Sequence, residues 1–236
     1  NYLGRVRVAT ESKKAGVKQY VLASSASIYG QQSTIATETS TVKPITAYSK
    51  ANRNAEIDVL KLHDESFCVS VLRFSSLYGV SPRMRFDMSV NEMVLNLFKD
   101  KKIVVRGKNN QRPFLHVKDA VQAYLLLLNA SKSKINGEIF NVGSNDHNYV
   151  ISDLAKEIGT ALDPNCNLDI QNSPDSRSYF SSSDKIKEIL NYSAKYNVVD
   201  ESKEMFSSLE NNILDFSDKT ITLKWYNHLK NDKSLV

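Results

Sequence analysis

The stretch KQYVLAS, from Lys18 to Ser24, is a short apolar run that leads into a serine-rich turn, and it predicts a buried β-strand. A helical pattern covers residues 47–65, and a second buried strand, FCVSVLR, covers residues 67–73. A strand, a helix and a strand of these lengths form a right-handed crossover unit, which places the two strands parallel in one sheet. Neither strand alternates cleanly between apolar and polar residues, as expected where both faces of a sheet are covered. The sequence therefore predicts an α/β fold.

Outward from this unit, the α/β pattern continues and then changes. We predict a helix over residues 89–99, a strand over 102–106, an apolar helix over 118–129 and a strand over 138–142. From Val150 onward, short amphipathic helices separated by polar loops replace this pattern. We therefore expect a soft domain boundary between residues 149 and 150.

Composition restricts the partners of the chain. Its 236 residues carry 31 Lys and Arg against 26 Asp and Glu, a net charge of +5 without a dense basic block. This surplus is compatible with an anionic small molecule but does not indicate one, and we expect no nucleic-acid partner. The apolar run at residues 123–128 is far short of the roughly 20 residues that span a bilayer, and we expect no membrane partner. Cys68 and Cys166 form neither a metal-ligand spacing nor a disulfide framework. We expect no metal and a cytoplasmic location.

The first residues predict a helix that begins without a cap. Residues 1–14 read as a charged helix rather than a signal peptide, and no initiating methionine precedes them. We expect the chain to be a truncated product, a fragment or a processed domain.

Polar side chains gather where the first strand ends. Ser24, Ser25 and Ser27 lie at the carboxyl end of that strand, where ligands bind in parallel sheets, and Tyr48 lies near the start of the following helix. A serine and a tyrosine can hydrogen-bond one substrate hydroxyl while the phenolate accepts its proton during hydride transfer. From the residues alone, a serine-rich turn beside a half-buried tyrosine remains an open alternative.

Six segments, taken in order, resemble motifs of the extended short-chain dehydrogenase/reductase family of NAD(P)-dependent nucleotide-sugar epimerases and dehydratases. The segments are NYLG (1–4) with AGVK (15–18), SSASIYG (24–30), LRF (72–74) with YG (78–79), QRPF (111–114), HVKD (116–119) and FNVG (140–143). The resemblance implies a partial Rossmann-like parallel sheet with a smaller α/β substrate-binding domain. Residues 1–149 would form the C-terminal part of the NAD(P)-binding domain, with substrate-domain insertions around 80–113, and residues 150–236 would form mainly the substrate-binding domain.

The resemblance also implies site residues. Ser25 and Tyr48 fall at the catalytic positions. The cofactor, NAD or NADP, would contact Ser24, Lys50 and Asn52. The nucleotide-sugar substrate would contact Ser27, Ser76, Arg112 and Arg177, with the two arginines on the diphosphate. A homodimer is a further possibility that the resemblance implies.

Two departures from the family pattern affect the cofactor site. The family has a lysine four residues after the tyrosine, where this chain has Asn52, which can donate hydrogen bonds to a ribose but supplies no charge. Lys50 could replace that lysine only if the turn is irregular, because two residues along a helix point to a different face. The eight glycines form no closely spaced phosphate-binding triplet. We therefore expect the first strands of the domain to be missing and the chain alone to bind the cofactor weakly.

A third departure bears on the reaction. In the dehydratase branch, an Asp and a Glu follow the catalytic Ser or Thr, whereas this chain has Ala26 and Ser27. The resemblance thus implies an epimerase or reductase used in building bacterial-type surface polysaccharide. A non-catalytic relative that binds a nucleotide sugar or a partner chain is the alternative, and a reductase of a non-sugar carbonyl is a third possibility.

Overall fold

A computed structural model describes residues 1–232. The helices are α1 (Leu3–Lys14), α2 (Ala47–Leu60), α3 (Ser89–Asp100), α4 (Val117–Asn129), α5 (Lys132–Ile135), α6 (Ile151–Leu162), α7 (Asp184–Leu190), α8 (Val198–Glu210) and α9 (Thr222–Asn231). The strands are β1 (Gln19–Ser25), β2 (Cys68–Phe74), β3 (Ser76–Tyr78), β4 (Lys102–Arg106), β5 (Gln111–His116), β6 (Ile139–Val142), β7 (Asn148–Val150) and β8 (Asn167–Gln171).

The first sheet has the order β1–β2–β6, and both of its strand pairs are parallel, as the sequence predicts. Helices cover both faces. Leu22, Val69 and Val71 pack against α1 and α2, whereas Leu72 and Phe74, which point the other way, pack against α4. This parity places Arg73 on the α2 face, and Ser24, its partner in register, lies on the same face as Leu22.

Two smaller sheets extend the molecule. Strand β5 pairs in parallel with β3 and antiparallel with β7, and β4 pairs in parallel with β8. A second core joins buried residues of α3 and β4 to those of α6 and α8. The mixed α/β class with parallel sheets is therefore confirmed. This second core combines residues from both sides of position 150. The domain boundary between residues 149 and 150 stays a prediction.

Helix α2 ends at Leu60, earlier than the predicted residue 65. The Asp64 carboxylate accepts hydrogen bonds from the backbone N–H groups of Ser66, at 2.8 Å, and Phe67, at 2.9 Å. This local turn competes with further helix and directs the chain into β2. At the other end of the chain, the sequence predicts a helix with a polar end over the last sixteen residues. Helix α9 lies in this stretch, and residues 233–236 lie outside the described residues.

Strand β1 is an edge strand: within residues 1–232 it pairs with β2 alone. The other edge of β1 is therefore unpaired in the part of the chain that the structure describes. Over the same residues, no helix combines the length and the apolar character needed to cross a membrane.

Candidate active site

The serine turn follows β1 directly. Ser25 caps a short 3-10 helix (Ala26–Tyr29): its Oγ accepts a hydrogen bond from the Ser27 N–H at 3.2 Å and donates one to Ser27 Oγ at 2.9 Å. Ser24 is buried, and its hydroxyl donates to Glu56 Oε1 at 2.6 Å. Ser25 is thus the more exposed of the two serines, and Ser24 ties the turn to α2.

Tyr48 lies in the first turn of α2. This helix begins with a capping box between Thr46 and Ser49. The side-chain oxygen of each of these two residues accepts a hydrogen bond from the backbone N–H of the other. The Tyr48 side chain is 46% exposed, and its hydroxyl has no hydrogen-bond partner within residues 1–232. Its phenol is therefore free to meet a ligand.

A cavity of about 680 Å³ brings the serine turn and Tyr48 together. The predicted site residues Ser24, Ser25, Ser27, Tyr48, Ser76, Arg112 and Arg177 all line it. The cavity opens at the carboxyl ends of β1 and β2, where ligands bind in parallel α/β sheets.

Asp175 holds the two arginines Arg112 and Arg177, and these three side chains form one part of the cavity lining, the arginine wall. Arg177 donates from Nε and Nη2 to the Asp175 carboxylate at 2.8 and 2.6 Å, and Arg112 Nη2 reaches the same carboxylate at 3.1 Å. Burial alone would raise the pKa of Asp175, but the hydrogen bonds and charge of Arg177 outweigh it, with help from Arg112, and lower the pKa to about 2. Arg112 also donates to the carbonyls of Gln111 and Arg177, so its guanidinium is held rigidly.

Lys50 and Asn52 lie away from the cavity surface. Lys50 is exposed and does not line the cavity, in line with the helical argument from the sequence. Asn52 is fully buried, its Nδ2 donates to the Tyr48 carbonyl at 2.9 Å, and its Oδ1 accepts from Arg5 Nη1. Their predicted contacts with the cofactor stay predictions.

A buried polar network lies behind the serine turn. Glu56 accepts from Arg73 Nε at 3.0 Å and Nη2 at 2.9 Å, and Arg73 Nη1 donates to the Tyr29 hydroxyl at 3.0 Å. Tyr29 in turn donates to Asn141 Oδ1 at 2.7 Å. Burial opposes the charge of Arg73, but Glu56 overcomes this and raises the pKa of the guanidinium. The network links β1, α2, β2 and β6 behind the site.

Sequence reasoning missed several lining residues. Arg5 comes from α1, and Arg83, Arg85 and Asp87 come from the loop between β3 and α3. The density of arginines in residues 83–85 was a usable signal, whereas nothing in the sequence near Arg5 marks it. Within residues 1–232, no group of three or more His, Cys, Asp or Glu side chains is placed to hold a metal ion.

A parallel sheet with helices on both faces, and a polar cavity at the carboxyl ends of its strands, defines a Rossmann-type α/β protein. The model of the NAD dependent epimerase/dehydratase family matches residues 1–143, and the chain belongs to this family.

Individual relatives agree with this membership. The chain is 30% identical over 166 residues to a UDP-glucuronate 4-epimerase of Thermodesulfobacterium geofontis, which covers 67% of this chain and 50% of that protein. It spans about half the length of the curated relatives it matches. Among solved structures, the UDP-glucuronic acid 4-epimerase of Bacillus cereus with UDP-glucuronic acid and NAD has a TM-score of 0.78 at 19% identity, covering 88% of this chain and 66% of that one. A dTDP-glucose 4,6-dehydratase of Bacillus anthracis with NAD has a TM-score of 0.76 at 24% identity, covering 89% and 68%.

The family description implies a nicotinamide cofactor, and part of the cavity fits it. The hydroxyls of Ser25 and Tyr48 and the guanidinium of Arg5 form a set of polar groups suited to a ribose and its phosphate. The eight glycines of the chain include no closely spaced triplet for a pyrophosphate. The residues present therefore fit the nicotinamide-ribose end of the cofactor.

Proposed function

We propose that this chain carries the substrate side and the acid–base residues of an NAD(P)-dependent nucleotide-sugar epimerase or reductase. One observation carries the proposal: Ser25, Tyr48 and two diphosphate-binding candidates, Arg112 and Arg177, line one cavity. Each role comes from the family pattern, and their common location supports it. The similarity to a UDP-glucuronate 4-epimerase suggests a UDP-sugar as substrate.

Tyr48 and Ser25 would handle the sugar hydroxyl. The exposed side chain of Tyr48 would act as a phenolate that accepts the hydroxyl proton when the carbon is oxidised, and the resulting phenol would return the proton when the carbon is reduced. Ser25 holds the oxygen in place by a hydrogen bond. When bound, the nicotinamide cofactor supplies reversible hydride transfer at the same sugar carbon.

Charge in the cavity supports an anionic substrate. The lining includes Arg5, Arg83, Arg85, Arg112 and Arg177, five arginines, against the two carboxylates of Asp87 and Asp175. One guanidinium group can donate two parallel hydrogen bonds to two oxygens of a phosphate, and a nucleotide diphosphate sugar presents two phosphates. This excess of positive charge suits such a ligand.

The residues after Ser25 favour epimerase or reductase chemistry over dehydration. Ala26 and Ser27 are both buried, and neither can act as the additional acid or base that elimination of water needs. This argument rests on the two side chains at these positions.

Calorimetric titration with UDP-glucuronic acid tests the substrate. We expect Arg177→Gln to weaken binding about tenfold, because a charge-assisted hydrogen bond to phosphate is lost. Arg7→Gln, on an exposed arginine outside the cavity, is the matched control and should bind as the wild type does. Equal affinity in Arg177→Gln and the wild type would remove the diphosphate assignment.

A binding protein without hydride transfer is the second candidate. It is favoured by Asn52, which stands where the family has a lysine and supplies no positive charge. Chromatography of UDP-glucuronic acid incubated with protein and NAD separates the two. Conversion of the sugar supports the enzyme, whereas tight binding without conversion supports the second candidate. A homodimer and a cytoplasmic location stay predictions, and light scattering tests the first.

A further inference from the structure

Arg5 occupies an unexpected place for a residue of the first helix turn. Its side chain is partly buried and lines the cavity together with Ser24, Ser25 and Tyr48. The helix that carries it, α1, packs beside α2 on the same face of the first sheet. Arg5 thus reaches the wall of the cavity that Tyr48 and the serine turn form.

Asn52 holds this arginine. The Asn52 carboxamide is fully buried. Its Oδ1 accepts a hydrogen bond from Arg5 Nη1, and its Nδ2 donates one to the Tyr48 carbonyl. Both ends of the Asn52 carboxamide therefore bond to the protein itself. A lysine at this position could not accept a hydrogen bond from Arg5, because an ammonium group has donors only.

The charge of Arg5 is not neutralised by the protein. Within the part of the chain that the structure describes, no carboxylate pairs with Arg5. Only Nη1 of its guanidinium donates within residues 1–232, so further N–H groups remain for a ligand. A guanidinium stays protonated throughout the working range of pH, so the positive charge is permanent.

We propose that Arg5, held by Asn52, is the positively charged residue of the cofactor site. Its guanidinium binds the ribose and phosphate of a nicotinamide nucleotide. The inference rests on the proposed function, since it assumes a nicotinamide cofactor. It gives the Asn52 departure a physical meaning: the positive charge comes from α1 instead of α2. The planar fork of Arg5 matches paired oxygens, as on a phosphate, better than a single ammonium does.

Nicotinamide mononucleotide is the appropriate probe, because it contains the nicotinamide, ribose and phosphate and needs no pyrophosphate cradle. Ligand-observed NMR titration at millimolar concentrations measures its affinity for the whole chain. We expect Arg5→Gln to weaken binding tenfold or more, and Arg5→Lys, which keeps the charge but loses the planar fork, to weaken it less than Arg5→Gln does. Arg7→Gln, two residues along the same helix and exposed, should bind as the wild type does.

Position 52 provides a reciprocal test. We expect Asn52→Lys alone to lower the melting temperature, because it removes the acceptor of Arg5 and places two cations together. In the double variant Arg5→Gln with Asn52→Lys, no arginine at position 5 repels the new lysine. The lysine then supplies the positive charge, and nicotinamide mononucleotide binding should recover. Failure of the double variant to bind better than Arg5→Gln would contradict the exchange of roles.

Labelling of the wild type makes the test independent of whether the variants fold. Phenylglyoxal modifies accessible arginines, and peptide mass mapping follows each one. Saturating nicotinamide mononucleotide should slow labelling of Arg5 at least threefold and leave Arg7 unchanged. Unprotected Arg5 would overturn the inference.

The outcomes separate this inference from the proposed function. If UDP-glucuronic acid binds while nicotinamide mononucleotide does not, or binds equally in Arg5→Gln, the role of Arg5 is wrong and the nucleotide-sugar site stands. If neither ligand binds the folded wild type, both proposals fail.

Discussion

At the scale of single residues, Tyr48 separates chemistry from stability. Its side chain is 46% exposed and its hydroxyl makes no hydrogen bond within residues 1–232, so Tyr48→Phe should leave the melting temperature unchanged. Loss of the proton acceptor should lower conversion of UDP-glucuronic acid about 100-fold or more. Chromatographic assay and thermal melting measure the two effects. Tyr226→Phe, on an exposed tyrosine of α9, is the control, and wild-type turnover in Tyr48→Phe would disprove the assignment.

Glu56 should show the opposite behaviour. Glu56→Gln leaves the guanidinium of Arg73 buried without its counter-ion, which costs roughly 3 kcal/mol or more of unfolding free energy. Urea denaturation measures this loss. Glu11→Gln, at an exposed pair with Lys14, should change stability by less than about 0.5 kcal/mol. Similar unfolding curves for both variants would mean that the buried pair contributes nothing net.

The residue scale also shows what a sequence can and cannot predict. Short motifs and their order along the chain predicted that Ser25 and Tyr48 lie close together, and both line the cavity. The place of Arg5 in the cavity lining was not predicted, because it depends on Asn52, 47 positions away, and on the packing of α1 beside α2. No local pattern encodes such a contact, since it arises only after the helices dock.

At the scale of elements, a glycine ends the 3-10 helix of the serine turn. Gly30 has φ of 69°, and a Cβ there would lie 2.0 Å from the Lys43 carbonyl oxygen. Gly16 has φ of 78°, but a Cβ there meets nothing within 4 Å. We expect Gly16→Ala to cost about 1 kcal/mol for its backbone conformation, and Gly30→Ala to cost about 3 kcal/mol because backbone must also move. Denaturant unfolding compares the two, and equal costs would contradict the steric argument.

The elements themselves were largely predictable. Strand β4 and the start of α2 agree with the sequence pattern, because apolar periodicity and a capping threonine mark them directly. The end of α2 was placed five residues late, since the Asp64 turn depends on side-chain hydrogen bonds to the backbone. Pairing of β5 with both β3 and β7 was not predicted, because β3 and β7 have three residues each and carry little sequence pattern.

At the scale of the whole molecule, the cavity is built from distant segments that fold back on one another. The 31–36 segment forms isolated bridges with residues 178 and 181, and residues 175–179 supply Asp175, Arg177 and Tyr179 to the same cavity as Tyr48. The family resemblance predicted that Arg112 and Arg177 share a ligand, but not that Asp175 holds both. This carboxylate joins β5 to the C-terminal part of the chain and keeps the wall in place without ligand.

Asp175 gives this long-range link a pH dependence. Its folded pKa of about 2 lies below the usual aspartate pKa of 3.8, so the carboxylate stabilises the fold above the unfolded pKa, and this contribution is lost as pH falls toward 2. Asp175→Asn lacks that contribution at every pH. We therefore expect the wild type to be more stable than Asp175→Asn by a constant amount above about pH 5, with the gap closing between about pH 4 and pH 2.

Urea midpoints of the two proteins, compared at each pH, measure this gap in stability. Asp184→Asn, at an exposed aspartate that also accepts hydrogen bonds but contacts neither arginine, serves as the control for loss of a carboxylate. A gap for Asp175→Asn that stays constant down to pH 2 would show that the arginine wall does not depend on the ionised carboxylate.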